Sequence, residues 1–241
     1  MSRNLQECSP QVARGSVMSQ SPQLLKMFRW TRLVVAVLVL GVMLSPLGTQ
    51  PASAAVERIA SASSVTGGRN ITIRIELDQP AYAGGFFVQL FTSSPLIPVP
   101  GFIVVPGGQS SASFTVKTGT TSVDTRVTVS AKSGGTTTSK AITVRKPYLY
   151  SLVVQSSYPE GVDGKFTAKI SGPAPSGGAT IYFNSNRPSI LTVPSSVKIP
   201  AGYTSVTITV GPKMVPYNVA VNLSASYSGI KITKATTVTN T

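Results

Sequence analysis

The sequence predicts an all-β protein made of two tandem antiparallel β-sandwiches of about seven strands each, preceded by a helical leader. Three observations predict this fold. The 241 residues include 18 Pro and 21 Gly among abundant Ser, Thr and Val, which is typical of short strands joined by tight turns. Several short stretches alternate apolar and polar residues. The loop "PAYAGG" at Pro80–Gly85 returns as "PAPSGG" at Pro173–Gly178.

The first 54 residues have the pattern of a secretory signal peptide. Three basic residues, Lys26, Arg29 and Arg32, precede the apolar run Leu33–Leu44, and Ala-Ser-Ala ends at Ala54. We expect cleavage between Ala54 and Ala55, and Met27 is the expected translation start. The alternative is a membrane anchor, but the apolar run is shorter than the roughly 20 residues that a spanning helix needs.

The exported part is basic and has no cysteine from which a disulfide could form. Without residues 1–54 it keeps 16 of 21 Lys and Arg and 6 of 7 Asp and Glu, a net charge of 16 − 6 = +10. It contains no His, Cys or Trp, because Cys8 and Trp30 lie in the leader. A secreted protein of this size without disulfides depends on its apolar cores, which favours a bacterial origin.

The exported part is also an internal duplication. The offset between the copies is 93 residues at Pro80 and Pro173, and it becomes 94 from Pro100 and Pro194 to Val144 and Val238. A single one-residue adjustment over so long an alignment indicates two copies of one folding unit. We predict a first domain at 55–146 and a second at 147–241, joined by a short, stiff segment that contains Pro147.

The strands of the second copy follow from its alternation. Residues at every second position are apolar in the stretches around 165–170, 205–210 and 219–225, and Ile181 and Phe183 follow the repeated loop in the same way. A period of two places one set of side chains on the buried face of a sheet. Further strands are predicted at 150–155, 190–199 and 230–238. In the repeated loop, Pro fixes φ and Gly-Gly permits positive φ, so its recurrence is interpreted first as a folding requirement, with a binding loop as the alternative.

This pattern resembles the bacterial immunoglobulin-like (Ig-like) repeats that occur in tandem in secreted and cell-surface proteins. The resemblance rests on P-A-x-x-G-G, on Val105–Gly108 and its counterpart Ile199–Gly202, and on the closing "TTTSKAITV" and "IKITKATTV". It covers essentially the whole exported part. It implies an Ig-like sandwich and a role as a spacer, stalk, or adhesion or carbohydrate-contacting module. Neither copy has the Cys-Trp-Cys pattern of antibody domains.

The residue types argue against an enzyme. With no His or Cys after residue 54, the usual general base, thiol nucleophile and zinc ligands are missing, so we predict no catalytic residue, metal or cofactor. Glu76 and Asp78 share one face of a strand, but two carboxylates are too few for calcium. We interpret them as a solvated strand face, and Glu160 and Asp163 in the same way.

Basicity is the remaining clue to function. Candidate contacts to an anionic polymer are Arg145, Lys146, Lys165, Lys169, Lys231 and Lys234. The alternative is that lysines on exposed and edge strands prevent aggregation. Export and the lack of a recognition motif argue against nucleic acid. A second candidate is an apolar partner loop with Leu96, Ile97, Val99 and Phe102, whose alternative is packing inside the sandwich.

The sequence therefore predicts a secreted, non-enzymatic tandem Ig-like protein that serves as a structural, adhesion or binding module at the cell surface. Its expected partners are an anionic cell-envelope polymer, a polysaccharide or a surface protein, with membrane contact only through an uncleaved leader. It would be periplasmic in a two-membrane bacterium. The alternative is an accessory or diverged fragment of an exported hydrolase or adhesin system that works with a catalytic partner.

Overall fold

The computed structural model describes residues 54–241, and this part is all-β, with no helix that could span a membrane. The leader and its predicted cleavage signal lie outside the described residues apart from Ala54. The strands of the first copy are β1 (Val56–Ala60), β2 (Ser64–Thr66), β3 (Asn70–Leu77), β4 (Phe86–Thr92), β5 (Phe102–Val105), β6 (Ser111–Lys117), β7 (Thr125–Ser133) and β8 (Thr136–Arg145). Those of the second are β9 (Leu149–Val153), β10 (Ser157–Pro159), β11 (Gly164–Ile170), β12 (Ala179–Ser185), β13 (Leu191–Thr192), β14 (Ser196–Ile199), β15 (Ser205–Pro212), β16 (Val219–Tyr227) and β17 (Ile230–Thr239).

Each copy consists of two sheets. In the first copy the orders are β1-β3-β6 and β2-β8-β7-β4-β5, and in the second they are β13-β15-β11-β9 and β10-β17-β16-β12-β14. In the second copy, β9-β11-β15-β13 corresponds to the A-B-E-D sheet of an Ig-like sandwich and β17-β16-β12 to its G-F-C sheet, with β10 and β14 added at the two edges. The first copy has the same arrangement but lacks the strand that corresponds to β13. The predicted fold class of two tandem Ig-like sandwiches is confirmed.

Two separate apolar cores hold the sandwiches together. One core lies between residues 54 and 144 and includes Ile73, Ile75 and Val88; the other lies between residues 149 and 238 and includes Ile181 and Leu223. Alternation places these side chains: β4 and β12 bury every second residue along the strand. Within residues 54–241, each copy accordingly has its own apolar packing, with no disulfide.

The repeated loop has a structural role in both copies. Ala81 and Ala174 are buried, and their carbonyl groups accept hydrogen bonds from the N–H groups of Gly108 (2.7 Å) and Gly202 (2.9 Å). The second glycine of each loop has positive φ, and a Cβ on Gly178 would lie 2.8 Å from the Ile199 carbonyl oxygen. Glycine is needed there for both reasons. The two glycine loops thus bind each other in each copy.

The structure corrects two details of the predicted strands. The single strand predicted at 190–199 is two strands in opposite sheets: β13 pairs with β15, and β14 pairs with β12. Pro194 lies between them and cannot donate to a ladder, so the chain changes sheets there. The sandwiches are also not wholly antiparallel, because β2 pairs with β8 and β10 pairs with β17 in parallel. Three-residue strands are too short to show alternation.

Candidate functional site

The carboxylates that could have served catalysis or calcium binding have structural partners. The Nε of Arg58 donates to Glu76 Oε2, and the Nε of Arg74 lies 3.6 Å from Glu76 Oε1. The hydrogen bond from Arg58 lowers the pKa of the Glu76 carboxyl and raises the pKa of the arginine. Asp78 Oδ1 accepts the backbone N–H of Ala55 at 2.8 Å. Glu76 and Asp78 are thus each engaged with a different partner of the fold.

Glu160 differs from the solvated side chain that the sequence suggested. It is 7% exposed. Its Oε2 accepts the N–H of Val215 at 2.6 Å, and its Oε1 accepts the side-chain amide of Asn240 at 3.2 Å. A buried carboxylate must be hydrogen-bonded to offset its lost hydration, and these donors do so. Glu160 therefore ties the C-terminal end of the chain to the second sandwich, while Asp163 is exposed as predicted.

Within residues 54–241 no three His, Cys, Asp or Glu side chains are grouped so that they could hold a metal ion. Glu76, Asp78 and Glu160 are engaged in hydrogen bonds of the fold, whereas Asp163 is exposed.

The six basic candidates are all exposed, but they do not form one patch. Lys165 and Lys169 lie on β11, in the sheet with β9, β13 and β15. Lys231 and Lys234 lie on β17, in the opposite sheet. The positive charge of the second sandwich is therefore spread over both of its faces.

Arg145 and Lys146 lie at the end of β8, where the first copy meets the second. They line a shallow groove with Asp124, Tyr148 and the turn at Ser228 and Ile230. The backbone N–H of Lys146 donates to Asp124 Oδ1 at 2.9 Å, so the carboxylate fixes the backbone there.

Close backbone contacts join the two copies beside this groove. Arg69 of the first copy donates through Nε (2.9 Å) and an η-nitrogen (2.8 Å) to the carbonyl oxygen of Ser171 in the second. A Cβ on Gly172 would lie 2.7 Å from the carbonyl oxygen of Gly67, so only glycine permits this approach. Gly68 takes part in the same contact, since a Cβ there would lie 2.6 Å from Cγ of Pro173.

The predicted partner loop is mostly part of the core of the first sandwich. Ile97 is fully buried, and Leu96 and Val99 pack against the same core. These three residues follow the alternative interpretation, in which the loop packs inside the sandwich. Phe102 is different, since it is 60% exposed on β5.

Phe102 belongs to an exposed cluster that the sequence interpretation did not single out. Phe87 and Phe91 on the adjacent strand β4 are 63% and 50% exposed, and the rings of Phe87 and Phe102 lie 6.3 Å apart. The sequence contains an indication of this cluster, because the strand "FFVQLFT" has phenylalanines at both odd-numbered and even-numbered positions. Only one parity can face the core, so part of this aromatic set had to be exposed.

The fold and these surfaces define a tandem Ig-like protein with exposed basic and aromatic side chains. Comparisons with protein-family models and with curated protein sequences find no match.

Comparison with solved structures finds other proteins with Ig-like or related domains. The titin domains z1z2, solved with telethonin, share 10% identity, with 78% of this chain and 96% of that chain covered and a TM-score of 0.31. The titin domains A168–A170 share 12%, covering 78% and 66%, with a TM-score of 0.42. The BSP domain of a biofilm-associated protein shares 16%, covering 77% and 30%, with a TM-score of 0.26.

Proposed function

We propose that this chain is a secreted bacterial protein without enzymatic activity that acts as a structural, adhesion or binding module at the cell surface, held there by anionic envelope polymers. Its two Ig-like sandwiches supply a scaffold, and its basic side chains supply the attraction. Each copy carries five more basic than acidic residues, from 9 − 4 in the first and 7 − 2 in the second. A field of this sign concentrates anionic polymers at a protein surface.

One observation carries the proposal: within residues 54–241, none of the ten lysines forms a salt bridge with another described residue. The only ion pairs there use Arg58 and Arg74 with Glu76. The lysine charges therefore remain available to an external anion, and their spread over both sheets of the second sandwich suits a long or branched polymer better than a small ligand. The predicted signal peptide supports the location.

The experiment measures retention of the purified exported protein on isolated cell envelopes as salt is raised. Exposed charges are screened within roughly 8 Å at physiological ionic strength, so retention should fall steadily with salt. Changing Lys165, Lys169, Lys231 and Lys234 together to Gln should weaken retention, whereas changing all four to Arg should preserve it. Retention that ignores both salt and the Gln substitutions contradicts the charge-driven function. N-terminal sequencing of the exported protein tests secretion, with Ala55 expected first.

A further inference from the structure

The exposed phenylalanines lie on one continuous surface, which we call the aromatic face. It consists of Phe87, Gln89 and Phe91 on β4, Phe102 and Val104 on β5, and Lys132 on β7. The sheet register brings them together. Phe87 pairs with Val104, and Gln89 pairs with Phe102 on one side and with Lys132 of β7 on the other. All of these side chains are exposed, and the three phenylalanines are each at least half exposed.

The second copy shows that the fold does not require this face. Its strands β12 and β14 pair in the same register, and the equivalent positions carry Thr180 for Phe87, Asn184 for Phe91, Ser196 for Phe102 and Lys198 for Val104. One sandwich therefore folds with polar residues where its duplicate exposes four apolar ones. The second copy exposes one ring on this face, Tyr182 at the Gln89 position, but polar residues surround it. The contiguous exposed apolar area of the first copy therefore points to a partner rather than to packing.

We propose that the aromatic face is a docking surface for an acidic polysaccharide, in which the phenyl rings stack against the apolar faces of sugar rings. The proposal rests on the proposed function as an envelope-binding module and names the site and the ligand class. Sites for such ligands combine aromatic area with a few polar groups that fix orientation. Gln89 supplies an amide that forms no hydrogen bond within the described residues, and Lys132 supplies a positive charge.

Charge complementarity favours this occupant over a second copy of the chain. The strands β4, β5 and β7 contain no Asp or Glu, while β7 contributes Arg126 and Lys132, both exposed. Two copies joined through this face would each bring a lysine and no acidic partner, and burying such a charge unpaired is costly. A carboxylated polymer provides the missing charge.

The polar centre of the face favours a sugar over a lipid surface. Gln89 is surrounded by Phe87, Phe91 and Phe102, so insertion of the phenyl rings into acyl chains would also desolvate the amide without giving it a partner. Sugar hydroxyl groups can both donate to and accept from that amide. While the hydroxyl groups bond to Gln89, the phenyl rings can stack on the C–H groups of the sugar.

The test uses alginate, a polymer of uronic acids, and isothermal titration calorimetry on the protein purified after export, with both sandwiches present. The variant combines Phe87→Thr, Phe91→Asn and Phe102→Ser, the residues that the second copy already carries at these positions, so folding should be retained and is checked by circular dichroism. We expect the Kd for alginate to rise at least tenfold. A matched variant with Tyr182→Gln and Tyr203→Ser removes exposed aromatic rings from the second copy and should change the Kd less than twofold.

Lys132→Ser should reduce the preference for alginate over neutral dextran, because it removes the positive charge of the face. Serine is chosen because the second copy has Ser226 at that position.

Unchanged alginate binding by the triple variant overturns the proposal. So does a dimer that dissociates on the triple substitution in sedimentation experiments, or binding to phosphatidylglycerol vesicles in place of alginate. If the triple variant loses alginate binding while envelope retention proves insensitive to salt, the charge-driven function fails and the docking surface stands. If retention follows salt but the triple variant binds alginate normally, only the docking surface fails.

Discussion

Asp78 holds the first residue of the predicted exported chain. Its Oδ1 accepts the N–H of Ala55 at 2.8 Å, and its own N–H donates to the Ala55 carbonyl oxygen at 3.1 Å. If the signal peptidase cleaves after Ala54, as the sequence predicts, the nitrogen of Ala55 becomes the α-ammonium group of the protein. The hydrogen bond to Asp78 then becomes an ion pair that only the processed chain possesses.

Asp78→Asn should therefore destabilise the processed protein by about 1 kcal/mol, because an exposed ion pair and its charge-assisted hydrogen bond are both lost. The measurement is urea unfolding of the exported protein at pH 6 and pH 9. An ammonium group that gains a carboxylate partner contributes stability below its unfolded-state pKa of about 8 and loses it as the pH rises further. The cost of Asp78→Asn should thus be smaller at pH 9.

The control for this prediction keeps the chain unprocessed. A signal-peptidase-resistant protein with Ala52→Arg, which removes the first alanine of the cleavage signal, is purified with its leader and has an uncharged amide at residue 55, so Asp78→Asn should cost less there and show no change between pH 6 and pH 9. Equal costs in both proteins at both pH values would show that residue 55 is not the mature N-terminus.

Among the elements, the last strand of each sandwich carries a lysine on its core-facing side. Lys234 of β17 pairs with the buried Leu223, and Lys140 of β8 pairs with the buried Val129. The parallel strand β10 covers β17 only at Thr237–Thr239, so the preceding part of β17 is an open edge. A charged side chain at a core-facing position of an unpaired edge strand opposes the addition of another strand to that edge.

Lys234→Val should therefore raise the self-association of the protein, since it removes the charge from this edge and adds an apolar, strand-forming side chain. Sedimentation velocity over a range of concentrations measures the effect, and we expect dimers and larger species to appear at concentrations where the wild-type protein is monomeric. Lys169→Val is the matched control, because β11 is paired on both sides at that residue. Equal association of both variants would mean that lost charge alone, rather than the open edge, explains the result.

Alternation predicted the long strands well and the short ones poorly. In strands such as β11, β12 and β16, every second side chain is buried over at least seven residues, and this length is enough to define a period of two. The parallel strand β10 has three residues and the sheet-switching strand β13 has two. Their positions depend on pairing partners far along the chain, which local periodicity does not encode.

At the scale of the whole molecule, the candidate surfaces were harder to predict than the fold. The exposure of Lys165 and Lys169 followed from their parity, whereas Lys234 is exposed at a core-facing position of the edge strand β17, and the distribution of the lysines over two opposite sheets depended on strand order. The aromatic face required the register that sets Phe102 beside Gln89 and Phe87 beside Val104. Ile97, placed in a candidate partner loop, is buried because that loop closes the end of the first core. Cross-strand contacts of this kind are properties of the assembled sheets.

The two cores are separate clusters, so each sandwich should unfold in its own transition. Ile181→Ala in the second core should cost about 3 kcal/mol and lower the melting temperature of that sandwich by about 10–20 °C, because a fully buried side chain is truncated in a domain of roughly 100 residues. Val88→Ala at the equivalent position of β4 is the matched variant and should lower the other transition. Differential scanning calorimetry should show one peak move in each case while its neighbour stays. A single peak that shifts equally in both variants would instead mean that the contacts of Arg69 and Gly172 couple the copies into one cooperative unit.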